Sequence, residues 1–120
     1  MAFLMKNYTL THEGRGTENS IFLELLKNKK HPHDEVKTYK KLNSSEIDFI
    51  YHYTSGDLLP IEVKSGNRTT IPRIFYSFAT EYPEITTYIK TTNSFSVTKN
   101  LAGTHNKVIF SPNRNISNCL

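Results

Sequence analysis

The 120 residues carry 15 Lys and Arg against 11 Asp and Glu, a net charge of +4, with 37% hydrophobic residues and 14 Phe and Tyr together. That balance excludes a disordered chain, no run approaches the ~18 apolar residues of a membrane span, and the opening MAFLMK is too brief for a signal peptide. The sole cysteine, Cys119, excludes an internal disulfide framework and a cysteine-rich zinc site, which fits a reducing cytoplasm.

Residues 1–13 carry no clear pattern, and GRG at 14–16 breaks the chain before the first distinct element. From Glu18 to Lys30, the residues Ile21, Phe22, Leu25 and Leu26 recur at helical spacing, which predicts a helix capped by Thr17 and stopped by HPHD at 31–34. VKTYKK at 36–41 reads as a strand with one polar face. EIDFIYHY at 46–53 and LLPIEVK at 58–64 read as two more, joined by a turn that contains Gly56. Ile71, Ile74, Phe75, Phe78 and Tyr82 form a second helical stripe, introduced by Thr69, Thr70 and Pro72, with Thr70 expected to cap it. Residues 85–90 and 107–111 supply two further strands, and the Asn- and Ser-rich residues 112–120 are expected to form a loose tail. The order predicts a single α/β domain of layered architecture, with its core at about residues 14–111.

The hairpin at 46–64 fixes a register. If Thr54, Ser55 and Gly56 form a three-residue loop with Gly56 left-handed, Tyr53 faces Asp57, Tyr51 faces Leu59, Phe49 faces Ile61 and Ile47 faces Val63. One apolar face results, and a longer loop would scatter it. In this register Asp48 lies directly opposite Glu62, with Lys64 on the same side two residues on. Like charges so placed, with Cβ atoms about 5 Å apart, destabilise a sheet unless a cation offsets them. Glu18, at the start of the inward helical stripe, is a third acid that either reaches this pair or complements the helix dipole.

These residues carry a resemblance. GRGTE at 14–18, EID at 46–48 and IEVKSG at 61–66 resemble the PD-(D/E)XK nuclease superfamily, whose signature is a helix glutamate, a strand aspartate and a Glu-x-Lys on the next strand. The spacing is similar to that of archaeal Holliday-junction resolvases. It is closer still to the nuclease-like C-terminal domain of uncharacterised archaeal and bacterial AAA-type ATPases. Two departures stand: Ile47 occupies the position of the superfamily's proline, and the chain has no phosphate-binding loop of its own. On the closer likeness this chain is the C-terminal domain alone, without its ATPase.

The resemblance implies a restriction-endonuclease-like αβββαβ core, a mixed central sheet flanked by helices. It implies a metal-dependent deoxyribonuclease in which Glu18, Asp48, Glu62 and Lys64 are catalytic. Asp48, Glu62 and the Val63 carbonyl would ligate Mg²⁺ or Mn²⁺, hard cations suited to oxygen donors. Lys64 would orient the attacking water or steady the developing charge, and Glu18 would hold a coordinated water or a second ion. Arg15, Ser65, Asn67, Arg68 and Arg73 are expected to bind nucleic acid, with Lys90, Lys99 and Lys107 as further candidates. The basic excess lies in the second half, where seven Lys and Arg meet three Asp and Glu. The implied partners are DNA, an ATPase domain and a second copy of the chain. The alternative is an inactive nucleic-acid- or protein-binding module that keeps the fold and the acids. His31 and His33 flank a proline and read as surface loop, with no third ligand at a recognisable spacing.

Overall fold

The computed structural model describes residues 3–7, 16–41, 46–64 and 66–120. Its elements run β1 (Phe3–Asn7), α1 (Gly16–Lys27), β2 (Glu35–Lys41), β3 (Glu46–His52), β4 (Leu58–Glu62), α2 (Arg73–Glu81), β5 (Thr87–Thr92), β6 (Val97–Asn100), β7 (Lys107–Pro112) and a terminal 3₁₀ helix, Asn113–Cys119. The strands make one mixed sheet in the order β1-β2-β3-β4-β5-β7-β6. Strands β1 to β4 pair antiparallel, β4 with β5 and β5 with β7 pair parallel, and β6 returns antiparallel along β7. The expected αβββαβ core is present, extended by β1 at one edge and β6 at the other.

Both faces of the sheet are covered, which is why its strands read as apolar on both sides. Helix α1 lays Ile21, Phe22 and Leu25 over Phe49, Tyr51, Leu59, Ile61 and Ile89. Leu26, expected on the same stripe, faces outward and is 37% exposed. Helix α2 lays Ile74, Phe75 and Phe78 over Tyr39, Ile50, Tyr88, Val108 and Phe110. Its rings interlock with those of the strands, Phe78 meeting Tyr39 at 4.5 Å and Phe75 meeting Tyr88 at 5.0 Å between centroids. Each such buried ring contributes roughly 2–3 kcal/mol over its exposed state.

Three boundary expectations need correction. Helix α1 begins at Gly16, so Thr17 lies inside its first turn instead of capping it. The residue before α2 is Pro72, with no side-chain cap; Thr70 instead offers its carbonyl to a lysine. The residues beyond Pro112 are not a loose tail: they wind into the 3₁₀ helix because Ile116 is fully buried in the layer under α1.

The hairpin register holds over most of its length. Tyr53 donates its amide to Asp57 at 3.0 Å, Tyr51 pairs with Leu59 and Phe49 with Ile61. Gly56 takes φ +100, the left-handed backbone the three-residue loop demands. At the far end the alternation breaks. Between the pairs Lys37–Ile50 and Tyr39–Ile47, β2 advances two residues and β3 advances three, so Asp48 and Phe49 both face Thr38. This bulge turns Ile47 to the α2 side, beside Ile50, and off the α1-side face on which it was expected with Val63.

Candidate active site

Asp48 lies within this bulge. Its amide, released from the regular ladder, donates to Glu62 Oε1 at 3.2 Å, and its own Oδ2 accepts the Val63 amide at 2.8 Å. Lys64 Nζ stands 3.7 Å from Glu62 Oε2, with the lysine side chain 55% exposed and the glutamate side chain 9% exposed. Three of the four residues expected at the site therefore converge at one end of β3 and β4. Glu62 lies deep, Asp48 is half-buried, and Lys64 is at the mouth.

Electrostatics follow from this packing. Burial first, and then the charge of Asp48, push Glu62 up to about 8, with Lys64 pulling the other way.

Glu18 stands in the first turn of α1, half-buried, on the helix that covers Phe49 and Ile61. Among the described residues no group of three or more His, Cys, Asp and Glu is placed to hold a metal, so Asp48 and Glu62 stand as a pair that Glu18 does not complete. The donor types still suit a small hard cation: two carboxyls brought together through the Asp48 and Val63 amides.

The basic residues sort into two groups. Arg68 is exposed on the loop after β4, and Arg73, also exposed, opens α2. Lys90 and Lys99, expected as backbone contacts, instead hold that loop: Lys90 Nζ donates to the Thr70 carbonyl at 2.7 Å, and Lys99 Nζ to the Thr69 carbonyl at 3.2 Å and hydroxyl at 2.9 Å. Both ammoniums lie within 6.0 Å of the Phe110 ring centroid. Lys90, the strand partner of Glu62, is 7% exposed. Burial first, and then Lys64 and Arg68, push its ammonium down, while Glu62 opposes them. Asn67 is tied to Ser94, whose amide it accepts at 3.1 Å. Arg15 and Ser65 lie outside the described residues, and Lys107 is exposed at the start of β7.

A second polar cluster was invisible in the sequence. Asp34, 2% exposed, accepts the Tyr51 hydroxyl at 2.5 Å, the Thr54 amide at 2.7 Å and hydroxyl at 2.8 Å, and the His31 amide at 3.0 Å. It ties the turn after α1 to the β3–β4 hairpin. The helix-stopping HPHD signals a turn at Asp34, but its partners lie 17 and 20 residues away. A cavity of about 430 Å³, lined by Tyr53, Leu58, Leu59, Ile85, Thr87 and Cys119 among others, lies at the other end of β4, away from the acids.

The mixed sheet with helices on both faces makes this an α/β layered domain, with an acid pair beside a lysine at one end of β3 and β4. The chain belongs to the family described as a domain of unknown function, DUF4143, whose profile matches residues 13–111, a span that includes Glu18, Asp48, Glu62 and Lys64. No curated protein and no solved structure matches it. Among the described residues, no helix is long and apolar enough to cross a membrane.

Proposed function

We propose that this domain is a metal-dependent nuclease that hydrolyses phosphodiester bonds in DNA. The observation that carries the reading is the convergence of Asp48, Glu62 and Lys64: two carboxyls, each bonded to the main chain of the other's strand, with an ammonium 3.7 Å from the buried one. Two acids brought together across adjacent strands, even with the buried Lys90 as the strand partner of Glu62, are a costly arrangement for folding that chemistry accounts for.

Asp48, Glu62 and the Val63 carbonyl would hold Mg²⁺ or Mn²⁺, which when bound supplies charge neutralisation and polarisation of a phosphate oxygen. Glu62, fixed by the Asp48 amide, keeps one oxygen toward the site and one toward the main chain. Lys64, exposed at the mouth, orients the attacking water or steadies charge on the scissile phosphate. Glu18, on α1, would hold a second water or ion. Asn67, Arg68 and Arg73 face the nucleic-acid backbone on the loop after β4 and the first turn of α2, and Arg15 and Ser65 belong to the same set. Asp48 and Glu62, both ionised beside Lys64, leave a net negative charge that repels phosphate and that a divalent cation offsets, so substrate binding also depends on the metal. By the same resemblance the domain works beside an AAA-type ATPase and pairs with a second copy to cut both strands, and its lone cysteine fits a cytoplasmic setting.

A second reading is favoured by the acids standing as a pair with no third ligand among the described residues: a binding module that keeps the fold without cutting. Labelled linear, branched and single-stranded DNA incubated with Mn²⁺, with Lys64→Ala as control, separates the two. Metal-dependent cleavage lost in the variant supports the nuclease, and retention of DNA on a gel without cleavage supports the module.

A further inference from the structure

As parallel neighbours, β4 and β5 are joined through Ile61–Ile89 and Glu62–Lys90. One residue further, a side chain takes over from the ladder. Thr91 Oγ1 accepts the Lys64 amide at 2.9 Å and donates to the Lys64 carbonyl at 3.2 Å. A hydroxyl has one proton and two lone pairs, so a single side chain satisfies both main-chain polar groups of Lys64. Thr91 is 1% exposed and sits deep between the strands.

The lysine needs such an anchor. Its ammonium rests 3.7 Å from Glu62 Oε2, but its side chain is 55% exposed, so its own packing does little to fix a flexible four-carbon stem. What sets where that stem begins is the main chain at Lys64. The same docking continues beyond it: the Asn93 amide donates to the Gly66 carbonyl at 3.0 Å, and Asn67 and Ser94 join at 3.1 and 3.4 Å. The loop that leaves the acid pair is thus held against the end of β5 by side chains and one main-chain bond in place of a regular ladder.

We propose that Thr91 is a positioning residue: it clamps the main chain of Lys64 and so places the lysine ammonium relative to Glu62. Its effect on turnover rests on the nuclease reading; the clamp itself does not. Thr91→Val keeps the shape and removes the hydroxyl, Thr91→Ser keeps the hydroxyl, and Thr91→Cys, a weak donor and acceptor, replaces Val under the same criteria if the Val protein does not fold.

Two measurements on the full chain decide it. In the metal-free protein, amide hydrogen exchange at Lys64 rises about tenfold or more in Thr91→Val relative to the buried Ile50 amide, and stays within about threefold in Thr91→Ser. In Mn²⁺-dependent DNA cleavage, Thr91→Val lowers kcat about tenfold or more with KM within about twofold, and Thr91→Ser restores kcat. Lys64 exchange in Thr91→Val equal to wild type overturns the proposal, as does unchanged kcat in a protein whose wild type cuts. Should the wild type not cut, the nuclease reading falls, and the exchange ratio alone decides the clamp.

Discussion

Asp48 and Glu62 grip each other crosswise: the Asp48 amide donates to Glu62 Oε1 at 3.2 Å while Asp48 Oδ2 accepts the amide of Val63, the residue after Glu62, at 2.8 Å. The acids thus perform the bonds that a ladder would have made, and their charges are concentrated where the strands bulge.

That concentration has a stability consequence in the metal-free protein. Glu62 lies at about 8 in the fold, against 4.5 as its ordinary value. Between those values the folded chain binds more protons than the unfolded one, so stability falls as pH rises, by at most about 1.4 kcal/mol per pH unit, and the loss is complete above the folded value. Glu62→Gln removes the titration. Thermal melts without metal should show wild type losing Tm from about pH 5 to about pH 9 while the variant stays flatter and melts several degrees higher at the alkaline end. Parallel curves would remove the raised carboxyl from the account.

Most of each helical stripe (Leu26 turns outward, and Ile71 and Tyr82 flank α2), the hairpin pairing from Tyr53 to Phe49 and the meeting of Asp48 with Glu62 were legible because each follows from local spacing. Ile47 was not: its turn to the α2 side depends on a bulge against β2, a strand whose register no local pattern sets. Ile116 escaped for a related reason, since one apolar residue among Asn and Ser shows no period, yet it is fully buried. The ammoniums of Lys90 and Lys99 could be counted in the sequence. That they bind the carbonyls of Thr70 and Thr69 depends on two strands meeting a distant loop.

Gly56 makes the hairpin testable. Its φ of +100 is costly for any residue with a Cβ, although a Cβ there would meet nothing within 4 Å. Gly56→Ala should therefore destabilise by about 1–2 kcal/mol through backbone strain alone. Urea unfolding should show a lower midpoint with an unchanged m-value; equal midpoints would remove the strain from that loop.

Asp34 is the acid whose role is architectural. Burial pushes its carboxyl up, but the hydrogen bonds from Tyr51, from the Thr54 hydroxyl and amide, and from His31 outweigh burial and hold it at about 2, below its ordinary 3.8. Its contribution is therefore complete above the unfolded value and is lost as pH falls through the folded one. Asp34→Ala should cost about 3 kcal/mol at neutral pH, because it strands the buried Tyr51 hydroxyl and the Thr54 amide. Asp34→Asn should flatten the acid limb of a denaturation curve below about pH 4. An unchanged acid limb in Asp34→Asn would dismiss the network as a source of acid sensitivity.

Lys64 separates chemistry from stability. An exposed lysine at 3.7 Å from its partner adds little to folding, so Lys64→Ala should leave unfolding free energy within about 0.5 kcal/mol of wild type. In the nuclease reading it contributes where charge develops, and its removal should lower DNA cleavage with Mn²⁺ about a hundredfold. Lys64→Arg should not restore the rate, since a planar guanidinium cannot occupy the position of a compact ammonium beside Glu62. Titration calorimetry supplies the complementary half: Mn²⁺ should bind wild type and Lys64→Ala and fail to bind Asp48→Ala, because the carboxylates and not the lysine are the ligands. Equal cleavage by wild type and Lys64→Ala would sever the lysine from the reaction, and equal Mn²⁺ heats in wild type and Asp48→Ala would move the metal away from the acid pair.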